Sequence, residues 1–124
     1  MEESKTYREV YDDFLEEYNK SQATGERTGE VIAIMAQYYC DMNQAYAKAK
    51  SAFDKVAAMI AGTSDDATGK TISSSKADVL SAATPEAEAL TQAKVDIQNV
   101  EQCINALKSL QKGILNEYSH AGNM

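Results

Sequence analysis

A chain of 124 residues fits one domain, and an apolar fraction of 44% with one Pro and no Trp favours helix over sheet. The net charge of −7 argues against indiscriminate adhesion to nucleic acid or anionic lipid, and no apolar run reaches the length of a membrane span. The acid gathers early: residues 1–30 hold nine Asp or Glu against four Lys or Arg, and residues 31–124 hold ten against eight, so any basic surface belongs to the later helices.

The first expected element is an acidic helix over about 6–22. Thr6-x-x-Glu9 has the form of a capping box. Tyr7, Val10, Tyr11, Phe14, Leu15 and Tyr18 then recur at helical spacing along one face, with Glu9, Asp12, Asp13, Glu16 and Glu17 on the other. A tyrosine stripe of this kind reads as an amphipathic docking face, because each ring keeps one polar end in water. Thr24-Gly25 and Thr28-Gly29 punctuate the chain as a short turn.

A long helix follows over about 31–61. Val31, Met35, Tyr38, Met42, Ala45, Ala49, Ala52, Val56 and Met59 alternate four and three apart, a heptad seam that Gly62 ends. Residues 62–75 contain nothing that could form a core and are expected to be an exposed, mobile polar connection. Ser75-x-x-Asp78 can cap a short helix at about 76–83 carrying Val79 and Leu80. Thr84-Pro85-Glu86 combines a hydroxyl N-cap, Pro at the first position and an acid in the first turn.

The last helix is expected over about 85–119, with Leu90, Ala93, Ile97, Val100, Ile104, Leu107, Gln111, Ile114 and Tyr118 as its seam and Gly122 just past its end. Two long helices of roughly 46 and 52 Å joined by a modest loop pack antiparallel. The expected architecture is therefore all-α: a single domain over 1–124, built on a long antiparallel hairpin. Ile32, Ile34, Tyr39, Tyr46, Phe53 and Ile60 on one helix, and Leu110 and Leu115 on the other, fall off the seams. That is more apolar surface than one hairpin buries, so self-association into a homo-oligomer is expected.

No catalytic constellation emerges, and neither an enzyme nor a bound cofactor is expected. Gly62–Thr71 resembles a phosphate-binding loop, but six residues separate the glycines where four are needed, a helix precedes it, and Asp65 and Asp66 would repel phosphate. His120 is the only histidine, so metal or nucleophile–base chemistry has no second partner; its place near a helix end reads as a favourable charge on the dipole. Asp65-Asp66 lacks the acidic ladder of a calcium loop. Glu86 and Glu88 sit where acids stabilise a helix start. Cys40 and Cys103 lie in helical patterns without a C-x-x-C, and read as buried thiols of a cytoplasmic protein without a signal peptide.

Lys48, Lys50 and Lys55 form the one basic concentration on the second helix, with Lys70 and Lys76 flanking the loop. Such a run is ordinarily a solvated helix face. Repeated around an oligomer, it could track a phosphodiester backbone by avidity.

Lys76-Ala-Asp-Val-Leu, then Thr84-Pro-Glu, then ALTQAKVDIQNVEQCINALKSLQKGILNEY, resembles the C-terminal part of the UvsY-like recombination mediators of T-even-type bacteriophages. Ala47-Lys48-Ala49-Lys50 is similar to a basic patch on the preceding helix of that family, and the resemblance spans roughly residues 40–118. It implies a ring-like oligomer in the host cytoplasm that binds single-stranded DNA and works with a recombinase and a single-strand-binding protein. Lys48 and Lys50 are the DNA contacts it implies, and Lys55 extends the run. The competing expectation is a protein-only module, a virion or scaffold component or an inhibitor of a host defence enzyme. It would use Glu9, Asp12, Asp13, Glu16 and Glu17 to enter a basic groove. Neither reading calls for a membrane or a small-molecule substrate.

Overall fold

The computed structural model describes residues 5–122, with side chains to residue 117. Four helices follow in order: α1 (Tyr7–Asn19), α2 (Gly25–Ala61), α3 (Ser74–Ala82) and α4 (Pro85–Gly122). The fold is all-α, with the long helices α2 and α4 packed together. The described residues contain no strand and no helix long and apolar enough to cross a membrane.

Hydroxyl caps start all four helices. The Glu9 N–H donates to Thr6 Oγ1, the Arg27 N–H to Thr24 Oγ1, the Lys76 N–H to Ser73 Oγ and the Ala87 N–H to Thr84 Oγ1, at 3.0–3.2 Å. Two of these caps correct the expected boundaries. Helix α3 starts from Ser73 and not Ser75. Helix α2 starts six residues before position 31, because Thr24 is its cap and Gly25 and Gly29 are helical. Helix α1 stops at Asn19, earlier than expected. Ser21 takes a left-handed φ of 61°, and the Gln22 N–H closes back on the Glu17 carbonyl.

The expected single domain resolves into two compact units, and α2 and α4 contribute to both. One, the terminal unit, comprises residues 1–41 and 98–124; the other, the central unit, comprises residues 42–97. In the terminal unit Phe14, Val31, Met35, Cys103 and Leu107 form a core, with Tyr7, Val10, Tyr11, Ile32 and Leu110 packed against it. The pairing of α2 with α4 is antiparallel. A Cβ placed on Gly25 would meet Leu115 Cδ2 at 3.0 Å, and one placed on Gly29 would meet Gln111 Nε2 at 3.1 Å. The Gln111 amide donates to the Gly25 carbonyl at 3.1 Å. These two glycines are therefore sites of close helix approach, where a turn was expected. Thr28, fully buried between them, donates its hydroxyl to the Thr24 carbonyl at 2.6 Å.

The central unit is built from the second half of α2, the connection, α3 and the start of α4, and its interior is thin. Ala77, Ser81 and Leu90 are its buried residues. On this stretch of α2 the half-buried positions are Met42, Tyr46, Ala49, Phe53, Val56, Ala57 and Ile60, whereas Ala45, Ala52 and Met59 are exposed. After Met42 alternate members of the expected seam give way to the next residue, Ala45, Ala52 and Met59 to Tyr46, Phe53 and Ile60, while Ala49 and Val56 keep their places. Consecutive steps of four at 38–42–46 bring the larger side chains inward, the stutter that reconciles 3.6 residues per turn with a heptad.

The connection is exposed, as expected, and it is hydrogen-bonded to itself. Ser64 and Thr71 form an antiparallel bridge, the Asp65 N–H donates to the Lys70 carbonyl and the Ile72 N–H to the Thr63 carbonyl. Gly69, at φ 70°, supplies the left-handed residue of this turn.

Candidate functional site

The sequence singles out two charged surfaces, and the structure rearranges both. Lys48, Lys50 and Lys55 are all exposed on α2 in the central unit. Seven residues separate Lys48 from Lys55, which puts them within about 20° of each other around the helix. Lys50 lies about 160° round from Lys48 and reaches Asp54 at 3.4 Å. The three do not form one strip. Lys50 and Lys55 edge a shallow depression of about 580 Å³ floored by Ala47, Ser51 and Ala58. Among the described residues Lys48 and Lys55 carry no ion pair, so they are the two cations of the run with free ammonium groups. Lys76 approaches Asp65 at 4.0 Å.

The acidic face of α1 is largely occupied by its own bases. Asp13 pairs with Lys5 at 2.9 Å, Asp12 with Arg8 at 3.4 Å and Glu16 with Lys20 at 3.5 Å. Glu17 accepts two bonds from the Arg27 guanidinium, Nε at 3.1 Å and Nη2 at 3.4 Å, and so ties α1 to α2. The hydrogen bonds that Arg27 donates to Glu17, and a further one it donates to Glu30, hold Arg27 above its ordinary pKa. Glu9 is the acid of this group without an ion pair among the described residues. Exposed pairs of this kind are weak, and a stronger cation can displace them, but Glu17 has a structural duty that the other four lack.

Sequence reasoning expected two buried thiols. Cys103 is buried, but Cys40 is exposed because it falls about 140–160° round α2 from the inward positions Met35, Tyr38 and Met42. Cys103 lies with Arg8, Tyr11, Asn99, Gln102 and Ala106 around a depression of about 330 Å³, where Arg8 stands 5.9 Å from the Tyr11 ring centroid. Burial pushes both the Cys103 thiol and the Tyr11 phenol up, and Arg8 only partly opposes it. A thiol held protonated is a poor nucleophile, so this pocket has the chemistry of a packed core edge. The side chain of His120 lies outside the described residues.

The connection offers no phosphate cradle. The Ala67 N–H donates to Asp65 Oδ1, the Thr68 and Gly69 N–H groups to the Asp65 carbonyl, and the Lys70 N–H to Thr68 Oγ1. These four N–H groups, which a phosphate cradle would turn toward the ligand, are bonded within the loop instead. No group of three or more His, Cys, Asp or Glu among the described residues is set to hold a metal.

A third surface was not expected from sequence. Helix α3 turns Ala77 and Ser81 inward and leaves Val79 70% and Leu80 44% exposed. The same unit opens a depression of about 560 Å³ between Phe53 and the α3–α4 turn. The sequence signal for it was Phe53, a large aromatic placed off the expected seam. No family model, curated protein or solved structure matches the chain.

Proposed function

We propose that this chain is a non-enzymatic, self-associating helical adaptor, working by assembly and binding. The observation that carries the reading is the imbalance within the central unit. Of its large apolar side chains only Leu90 is buried, and that at 9% exposure, while Met59, Val79, Leu80 and Val95 face solvent. Isolated exposed apolar residues are common, but four on one small unit with so little interior point to a surface that a partner covers. Light scattering over a concentration series tests the reading: mass should rise above 13.5 kDa, and a strict monomer at high concentration would sink it.

The recombination-mediator reading sits on top of this one. It is supported by the resemblance over residues 40–118 and by Lys48 and Lys55, which share a stripe and carry no ion pair among the described residues. Single-stranded DNA is then the ligand, Lys50 contributes only by releasing Asp54, and a recombinase and a single-strand-binding protein are the further partners in the host cytoplasm. Fluorescence anisotropy of a labelled oligonucleotide should show affinity falling steeply with salt, and Lys48→Ala with Lys55→Ala should flatten that slope by about two phosphate contacts per subunit. The protein-only alternative uses α1 against a basic groove. Glu9 serves it directly, Asp12, Asp13 and Glu16 serve it by exchanging intrachain partners, and a pull-down lost on Glu9→Lys with Glu16→Lys, indifferent to DNA, would favour it.

A further inference from the structure

Helix α3 has its amphipathicity reversed, and the reversal has a complement in the same unit. An ordinary nine-residue surface helix turns its largest apolar side chains inward. Here a small alanine and a serine face in, the serine hydroxyl satisfied by the Ala77 carbonyl at 2.8 Å, and the branched aliphatics stand outside. Ala83, one helical turn beyond Val79, opens the depression whose floor continues through Ala87, Leu90 and Phe53. A projecting apolar pair thus precedes, within one turn of chain, a hollow of mixed lining, apolar at Phe53, Ala83 and Leu90 and polar at Thr84, Glu88 and Lys94.

Resting on the self-association proposed above, we infer that this face is the interface: two copies meet about a two-fold axis, and Val79 and Leu80 of each enter the Phe53–Ala83–Leu90 hollow of the other. A second copy is the occupant because the face supplies both halves of the contact, as an isologous interface requires. The flanking charges match as well. Lys76 and Asp78 stand beside the projecting pair, and Glu88 and Lys94 line the hollow. Bringing Asp78 to Lys94 and Lys76 to Glu88 joins opposite signs, and Asp78, Glu88 and Lys94 have no ion pair of their own among the described residues. The heptad helices then serve as the frame that holds α3 and the hollow side by side.

Three proteins test this by sedimentation velocity over a concentration series, with circular dichroism as the check on folding: the native chain, Val79→Ser with Leu80→Ser, and Ala83→Trp, which fills the hollow. All the altered positions are exposed, so helicity should be unchanged. The native chain should plateau at the mass of a dimer, and each variant should raise the apparent Kd about tenfold or more. An equimolar mixture of the two variants pairs an intact hollow with an intact projection. It should associate more tightly than either variant alone and more weakly than the native chain. A native oligomer that both variants leave intact overturns this interface and spares the adaptor reading. Mass that grows without a plateau overturns the two-fold arrangement, and a strictly monomeric native chain overturns both.

Discussion

Replacing Phe14 by Ala removes the side chain that fastens α1 to the rest of the terminal unit. Phe14 is 1% exposed and packs in one cluster with Val31, Met35, Cys103 and Leu107, with Val10 and Tyr11 around it. Truncating a buried Phe costs about 3–5 kcal/mol through lost burial and the cavity left behind. With a urea m-value of about 2 kcal/mol/M, the midpoint should fall by roughly 2 M. The loss has a ceiling, because α1 can detach while α2 and α4 stay paired, and the cost cannot exceed the free energy of its docking. Hydrogen exchange separates the outcomes. If the ceiling is reached, amides of residues 10–19 lose protection while those of 31–35 keep theirs. Tyr18→Ala is the control, since Tyr18 is exposed and should cost less than about 0.5 kcal/mol. A Phe14→Ala variant no less stable than Tyr18→Ala would refute the packing argument.

Further outcomes follow from single features. Gly113 lies inside α4 with nothing within 4 Å of a Cβ, so Gly113→Ala should stabilise by about 0.5–1 kcal/mol in thermal or urea unfolding. Gly29→Ala should fail to deliver that gain, because the new methyl displaces the Gln111 amide from the Gly25 carbonyl. Ser21→Gly should stabilise by about 1 kcal/mol by relieving the left-handed φ. Stability should also decline above about pH 8.5, where an unfolded cysteine begins to ionise. The buried Cys103 thiol is raised in the folded chain, so its contribution is complete below the unfolded pKa and is lost as pH rises. The slope from this one group is at most about 1.4 kcal/mol per pH unit, and Cys103→Ala should flatten the pH profile measured by urea titration.

The helices were legible because periodicity and caps agreed: Thr6, Thr84-Pro85 and the regular steps from Leu90 to Ile114 announce α1 and α4. The misreadings have identifiable causes. Gly25 and Gly29 carry the same letters as a turn, and only the presence of Leu115 and Gln111 across from them reveals a packing role. Along α2, two heptad frames one residue apart both had apolar members, Ala45–Ala52–Met59 and Tyr46–Phe53–Ile60. The bulkier frame is the one turned inward, which spacing alone does not decide. Several residues thought surplus are therefore part of the packing, whereas Ile34 and Leu115 stay exposed, and Val79 and Leu80 on α3 add to the exposed apolar surface. The lysine run looked continuous because sequence proximity hides angle: two residues along a helix is more than half a turn. Likewise a row of acids on one face says nothing of the bases that fold back on it, as Arg27 does across to Glu17.

The unequal placement of the two cysteines makes the chain report on its own opening. A thiol reagent should modify Cys40 at the rate of an exposed thiol, whereas Cys103 waits for the terminal unit to part around it. When closing outpaces labelling, the ratio of the two modification rates gives the opening equilibrium of that unit under native conditions, without denaturant and without an engineered cysteine.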